Sequence, residues 1–202
     1  EGYLKPDGSR QRWALAFIGD TLSARGEKHP EIFVVDLPRN DEDYRQAGDK
    51  PLQGTPEMLP APPAGVKQRR ITFTENGIAL QPRHWLRVSP DGAKIAFLKQ
   101  DETGVVQVWT VSPNGGAPAQ ISHSESGIQS AFSWSQDGKS LALVCDNSVM
   151  RLDMESGKMQ RLTQRSENAP CADAVVYSPD GSKVAFMRQC NGYAQICVAD
   201  SD

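Results

Sequence analysis

One constellation in this chain has the residue types of a hydrolytic site. A short phrase, Ser-x-Asp-Gly, occurs at Ser89–Gly92, Ser135–Gly138 and Ser178–Gly181. Five residues before each of its serines stand His84, Ser130 and Asp173. A serine, a histidine and an aspartate at equivalent positions would make a nucleophile, a base and an orienting acid, provided that all three came within hydrogen-bond reach, about 3 Å. The sequence argues against that chemistry. Equivalent positions in successive repeats are held apart, and no Gly-x-Ser-x-Gly elbow occurs in the chain. The expected role is polar lining or hydrogen bonding where inner strands begin. Around these three, Arg83-His84-Trp85 puts a cation, an imidazole and an indole together, a set able to grip an acidic or aromatic group. Gln129 stands beside Ser130. The candidate ligand-binding rim is therefore Arg83, His84, Gln129, Ser130 and Asp173, with Trp85 expected to pack between repeats.

Other chemistries find less support. No catalytic residue is assigned and no cofactor is expected. Asp20, Asp101, Asp146 and Asp173 lack the spacing of a calcium loop. Cys145, Cys171, Cys190 and Cys197 form no Cys-x-x-Cys, and no histidine lies at zinc-finger spacing, so no metal is expected. A two-residue turn at Asn191-Gly192 would set Cys190 against Tyr193 and Cys197 against Phe186, so the cysteines read as free. Gly115-Gly116 reads as a hairpin turn, since no helix follows to make a phosphate cradle. A net charge of −3 and the lack of any long basic run argue against a nucleic-acid surface. Lys67-Gln68-Arg69-Arg70 reads as a solvated strand edge. No stretch approaches the roughly 20 apolar residues of a membrane span.

The elements that position the rim follow from the repeat. Its steps are 46 and 43 residues, with an apolar run before each phrase and another starting three residues after its glycine. A period in this range, with strand-turn-strand inside it, is the signature of a β-propeller. In the turn, proline presets φ, aspartate bonds the backbone two residues on, and glycine accepts positive φ; Gln136 shows the proline to be dispensable. The expected inner strands are His84–Val88, Gln129–Trp134 and Asp173–Tyr177, and the last repeat stops without its outer strand. Upstream, Trp13–Ile18 and Ile32–Leu37 read as strands, with Gly19–Pro30 as a polar loop between them. Lys5-Pro6-Asp7-Gly8 imitates the phrase at the wrong spacing. Residues 38–67 read as an insertion between two strands of one repeat, because its first half is charged and its second carries five prolines. The resulting units are 1–73, 74–122, 123–163 and 164–202.

These units resemble the repeats of the TolB-like β-propellers, a WD40-like bacterial group. The likeness rests on Leu162-Thr163, Ala174–Tyr177, Ser178–Ser182 and Lys183–Phe186. More of the chain is similar to the C-terminal part of an uncharacterised Tol-type family, through Ala14–Glu27, Leu59–Pro63, Gln68–Thr74, Pro82–Trp85, Val105–Gly116 and Ile128–Trp134. The resemblance implies an all-β propeller of four-stranded antiparallel blades, about four here out of a ring of about six. It assigns no catalytic residue, and it favours the periplasm. The function expected is binding or scaffolding, with a protein, peptide or glycan held by Thr74–His84, His123–Gln129, Gln164–Asp173 and the insertion. The alternative is a lyase or hydrolase acting on an anionic substrate in the central channel.

Overall fold

The computed structural model describes residues 2–23, 26–173 and 175–202. Glu1, Ala24, Arg25 and Ala174, each within a segment read above, lie outside the described residues. In chain order the strands are β1 (Tyr3–Leu4), β2 (Arg10–Gln11), β3 (Ala14–Leu22), β4 (Lys28–Asp36), β5 (Gln68–Arg70), β6 (Arg87–Val88), β7 (Ile95–Gln100) and β8 (Val106–Val111). There follow β9 (Ala119–Gln120), β10 (Ser133–Trp134), β11 (Ser140–Cys145), β12 (Ser148–Asp153), β13 (Met159–Arg161), β14 (Val176–Tyr177), β15 (Lys183–Cys190) and β16 (Tyr193–Asp200). All pair antiparallel with their sequence neighbours, as β1-β2, β3-β4-β5, β6-β7-β8-β9, β10-β11-β12-β13 and β14-β15-β16.

The sheets stack face to face in chain order. Ile32 and Val34 of the first large sheet pack on Ile95, Phe97 and Val111 of the next. That sheet turns Ala96, Leu98 and Val108 toward Leu141, Leu143 and Leu152. The third sheet turns Ala142, Val144 and Val149 toward Val175, Val184 and Phe186. Period-two alternation drives this arrangement. Each second or third strand is apolar on both faces, so each sheet must be covered on both.

The repeated turn is built by its serine as much as by its aspartate. Ser89 Oγ donates to Asp91 Oδ1 at 2.6 Å and accepts from Lys94 N–H at 3.0 Å, while Ala93 N–H bonds the same carboxylate oxygen at 3.0 Å. Ser135/Asp137 and Ser178/Asp180 repeat these contacts. The serine hydroxyl is the main reason that all three carboxyls titrate low, Asp180 down to about 2. Lys5–Gly8 is a working turn after all, closed by Gly8 N–H on Lys5 O and by Asp7 on Ser9, and it joins β1 to β2.

A second hydroxyl recurs at the outer strand. Thr72, Ser122 and Thr163 accept the buried backbone N–H of Ile32, Val108 and Val149. These three contacts give an exact alignment of the units: Ile32, Val108 and Val149 occupy one repeat position.

Several expectations need correction. Gly19–Leu22 and Lys28–Pro30 are strand and not loop; β3 and β4 pair from Ala14–Asp36 to Leu22–Lys28. The polar residues are tolerated because this is the margin of a sheet, where Lys28 and Asp20 form a 3.3 Å ion pair, and because Gly19 leaves room for the Phe33 ring. The inner strands contain two residues each, shorter than the five or six expected. The insertion between β4 and β5 contains one 3-10 turn, Asp43–Arg45, and an isolated bridge between Ala47 and Pro63. The last hairpin is as expected: Asn191 and Gly192 adopt positive φ, and the register pairs Cys190 with Tyr193 and Phe186 with Cys197. Among the described residues no helix is long and apolar enough to cross a membrane.

Candidate binding rim

The strand directions separate the surfaces that could bind a partner. Chain segments leaving β5, β9 and β13 for the next inner strand emerge at one end of the sheets. The insertion leaves β4 after Asp36, the end of the strand opposite Lys28. Because β5 returns antiparallel, Thr74 onward lies at the Lys28 end. The loop rim and the insertion therefore occupy opposite ends of the first large sheet.

His84 and Ser130, expected at the rim, are buried instead, and both bond to the backbone. The His84 ring accepts the Leu98 N–H at Nε2 (3.2 Å), leaving Nδ1 to donate to the Pro82 carbonyl at 3.1 Å. Ser130 Oγ accepts the Val144 N–H at 2.8 Å and donates to Ala131 O at 2.5 Å. Leu98 and Val144 are equivalent residues of the repeat, so His84 and Ser130 do one job. Each supplies a side-chain acceptor for a backbone N–H that lies beyond the two paired residues of its inner strand. Burial pushes the His84 pKa down and keeps the imidazole neutral, stacked on Phe132 with ring centres 6.1 Å apart. Both ring nitrogens and the Ser130 hydroxyl are thus engaged within their own sheets, which leaves none of them free to act as base or nucleophile.

The other three residues are more accessible. Asp173 is exposed. Gln129 is half-buried and clamps the β11–β12 hairpin, its Oε1 accepting Asn147 N–H at 2.9 Å and its Nε2 donating to Asn147 Oδ1 at 3.3 Å. Arg83 is exposed, with its guanidinium 5.0 Å from the Trp85 ring centre. Trp85 is 51% exposed, contrary to the packing role expected for it. The indole that ties neighbouring sheets together is Trp134, whose Nε1 donates to Arg87 O at 2.9 Å. Trp85 and the buried Ala131 occupy the same repeat position, four residues before the phrase, so only the indole projects.

Two polar clusters went unread in the sequence. Asp146, at the β11–β12 turn, receives Arg161 at 2.7 Å and Arg165 at 3.1 Å. Deeper, the fully buried Glu31 accepts from Thr72 Oγ1, from Arg70 at 3.0 Å and from Thr74 N–H at 2.7 Å. His29, inside the segment expected to be a polar loop, lies on β4, its Nε2 3.3 Å from Glu31 and 2.5 Å from Thr74 O. Arg69, expected on a solvated strand edge, bonds Tyr3 OH at 2.7 Å and Asp36 at 3.3 Å. The signal for Glu31 was present: Glu31, Gln107 and Ser148 are one repeat position, and each bonds the outer-strand residue opposite it. The cluster latches the exit of β5 and leaves no carboxylate oxygen for a ligand.

No family model matches the chain. It is 51% identical over 193 residues to the uncharacterized protein YidR of Escherichia coli strain K12, a match spanning 94% of this chain and 46% of that relative. The chain thus spans about half the length of that relative. Among solved structures, TolB from Acinetobacter baumannii superposes with a TM-score of 0.59 at 21% identity, covering 99% of this chain and 40% of that one. The fold is that of a TolB-like β-propeller. A second TolB-like structure, from Agrobacterium tumefaciens, aligns with a TM-score of 0.52 at 20% identity, over 93% of this chain and 62% of that one. A puromycin hydrolase matches at 0.58 and 16% identity over all of this chain and 30% of its own, so the propeller occurs beside unrelated functions.

Proposed function

We propose that this chain is a binding or scaffolding propeller, holding a protein, peptide or glycan partner on its loop rim through Arg83, Trp85, Gln129 and Asp173. The observation that supports it most is the contrast at the inner-strand starts. The groups suited to catalysis, His84 and Ser130, are bonded into the backbone, while the guanidinium and indole beside them project into solvent. A stacked cation and indole suit an acidic or aromatic group of a partner. A periplasmic setting is part of this proposal and rests on the TolB likeness alone.

The test is a screen of the purified natural polypeptide against peptide and glycan arrays, followed by titration of hits. Arg83→Ala and Trp85→Ala should each weaken binding at least tenfold with an unchanged melting temperature. Turnover of an anionic substrate, abolished by Arg83→Ala or Asp173→Asn, would replace this reading with a lyase or hydrolase.

A further inference from the structure

The interfaces between successive sheets differ at the end that carries the repeated turns, opposite the loop rim. The residue before each phrase is Val88, Trp134 or Tyr177, and two residues beyond Ile32, Val108 and Val149 stand Val34, Thr110 and Arg151. Between the second and third large sheets the Trp134 indole packs on the core and bonds Arg87 O at 2.9 Å. Between the third and fourth, where Tyr177 takes its place, a cleft of about 280 Å³ is open. Tyr177 OH and Ser140 Oγ share a 3.0 Å hydrogen bond in its wall. Arg151 enters the cleft from a repeat position that is 1% exposed as Val34 and 5% exposed as Thr110. Its Nη1 lies 3.5 Å from Ser201 O and 3.9 Å from Asp202 Oδ1, both long contacts. Its Nε and Nη2 have no partner among the described residues. Asp137 lines the same cleft and commits only Oδ1, to Ser135 Oγ and to Lys139 N–H, leaving Oδ2 without a partner among the described residues. Asp137 titrates low chiefly through the Ser135 hydroxyl, with a smaller part from the Arg151 charge, so guanidinium and carboxylate share one field.

The donor set selects the ligand. Asp137, Asp180 and Asp202 outnumber the single guanidinium among the lining residues, which disfavours a simple anion. A simple cation would be repelled by Arg151 and would leave its open N–H groups without an acceptor. We propose that the cleft between the third and fourth large sheets binds a small zwitterion of the free amino acid class. The ligand carboxylate takes the open Nε and Nη2 donors of Arg151 as a bidentate pair, the geometry a guanidinium is built for. The ligand ammonium donates to Asp137 Oδ2, and the Ser140 and Tyr177 hydroxyls face a polar side chain. The volume falls at the small end of ligand pockets, which suits a molecule of this size. Arg83 and Trp85 precede β6 whereas the repeated turn follows it, so this site is separate from the partner-binding rim.

The experiment is isothermal titration of the polypeptide as the cell makes it with each of the common free amino acids, up to about 10 mM. The expected result is saturable binding of at least one polar amino acid. Its methyl ester, which lacks the carboxylate, and its N-acetyl form, which lacks the ammonium, should each bind at least about tenfold more weakly. Arg151→Gln should weaken binding by a similar factor. Tyr177→Trp, which copies Trp134 and fills the cleft, should abolish it, with circular dichroism showing that the sheets are kept. The comparison of ligand forms needs no variant, so it decides the case even where a substituted chain fails to fold. Failure of every amino acid to bind overturns the inference, as does equal binding of the ester or the N-acetyl form. Binding that both folded variants keep unchanged overturns it too, since the ligand then sits elsewhere.

Discussion

The two middle sheets and the two end sheets are made from one repeat, yet they are completed differently. β6–β9 and β10–β13 have four strands, and their apolar faces are covered on both sides. β3–β5 and β14–β16 have three strands, and each leaves one apolar face open. The same residue type at the same repeat position is core in one place and surface in the other. In a stacked array the contribution of a side chain is set by its neighbour and not by its own unit.

The largest test of this comparison is a paired truncation. Phe97→Ala should destabilise by about 3–5 kcal/mol, the range for a buried phenylalanine, whereas Phe17→Ala in this 202-residue chain should cost less than about 1 kcal/mol. Urea unfolding measures both, and equal losses would break the comparison. Next come the turn glycines, both at positive φ. A Cβ on Gly92 would run into the Gly2 carbonyl oxygen, while one on Gly181 meets nothing within 4 Å. Gly181→Ala should therefore show only the backbone penalty of about 1–2 kcal/mol, and Gly92→Ala clearly more. A third pair is Ser130→Ala against Asp173→Ala. The first strands the buried Val144 N–H and should cost about 1–3 kcal/mol, and the second should stay within about 0.5 kcal/mol.

The smallest effect is a pH dependence at His84. Its folded pKa lies below the unfolded value of 6.5 because burial disfavours the imidazolium. Below pH 6.5 the unfolded chain binds a proton that the folded chain refuses, so stability is complete above 6.5 and falls as pH drops toward the folded pKa. His84→Gln should flatten that slope in unfolding curves between pH 7 and 5. An unchanged slope would show that the imidazole is not held neutral.

Much of the fold could be read from residue order. The three Ser-x-Asp-Gly turns, the strand-length apolar runs and the hairpin at Asn191-Gly192 are local, because turn chemistry and period-two alternation act over a few residues. The continuation of β3 to Leu22 and of β4 back to Lys28 depends on cross-strand pairing and not on local residue preference. Polar and proline residues there are stabilised by cross-strand partners 6 to 12 residues away, such as His29 against Thr21 and Lys28 against Asp20. The rim was half legible. Spacing picked out His84, Ser130 and Asp173 as equivalent, and the first two do share a role, but a backbone-anchoring one.

Sequence alone thus determined the repeat, its turns and the equivalence of its positions, since each depends on nearest-neighbour chemistry. Tertiary structure decided which equivalent side chains are buried. Trp85 projects where Ala131 is covered, Phe17 is exposed where Phe97 is core, and Glu31 is sealed by Arg70 and Thr72 from a strand some forty residues on. Burial and hydrogen-bond satisfaction are properties of a side chain's surroundings, and those surroundings exist only after the sheets have stacked.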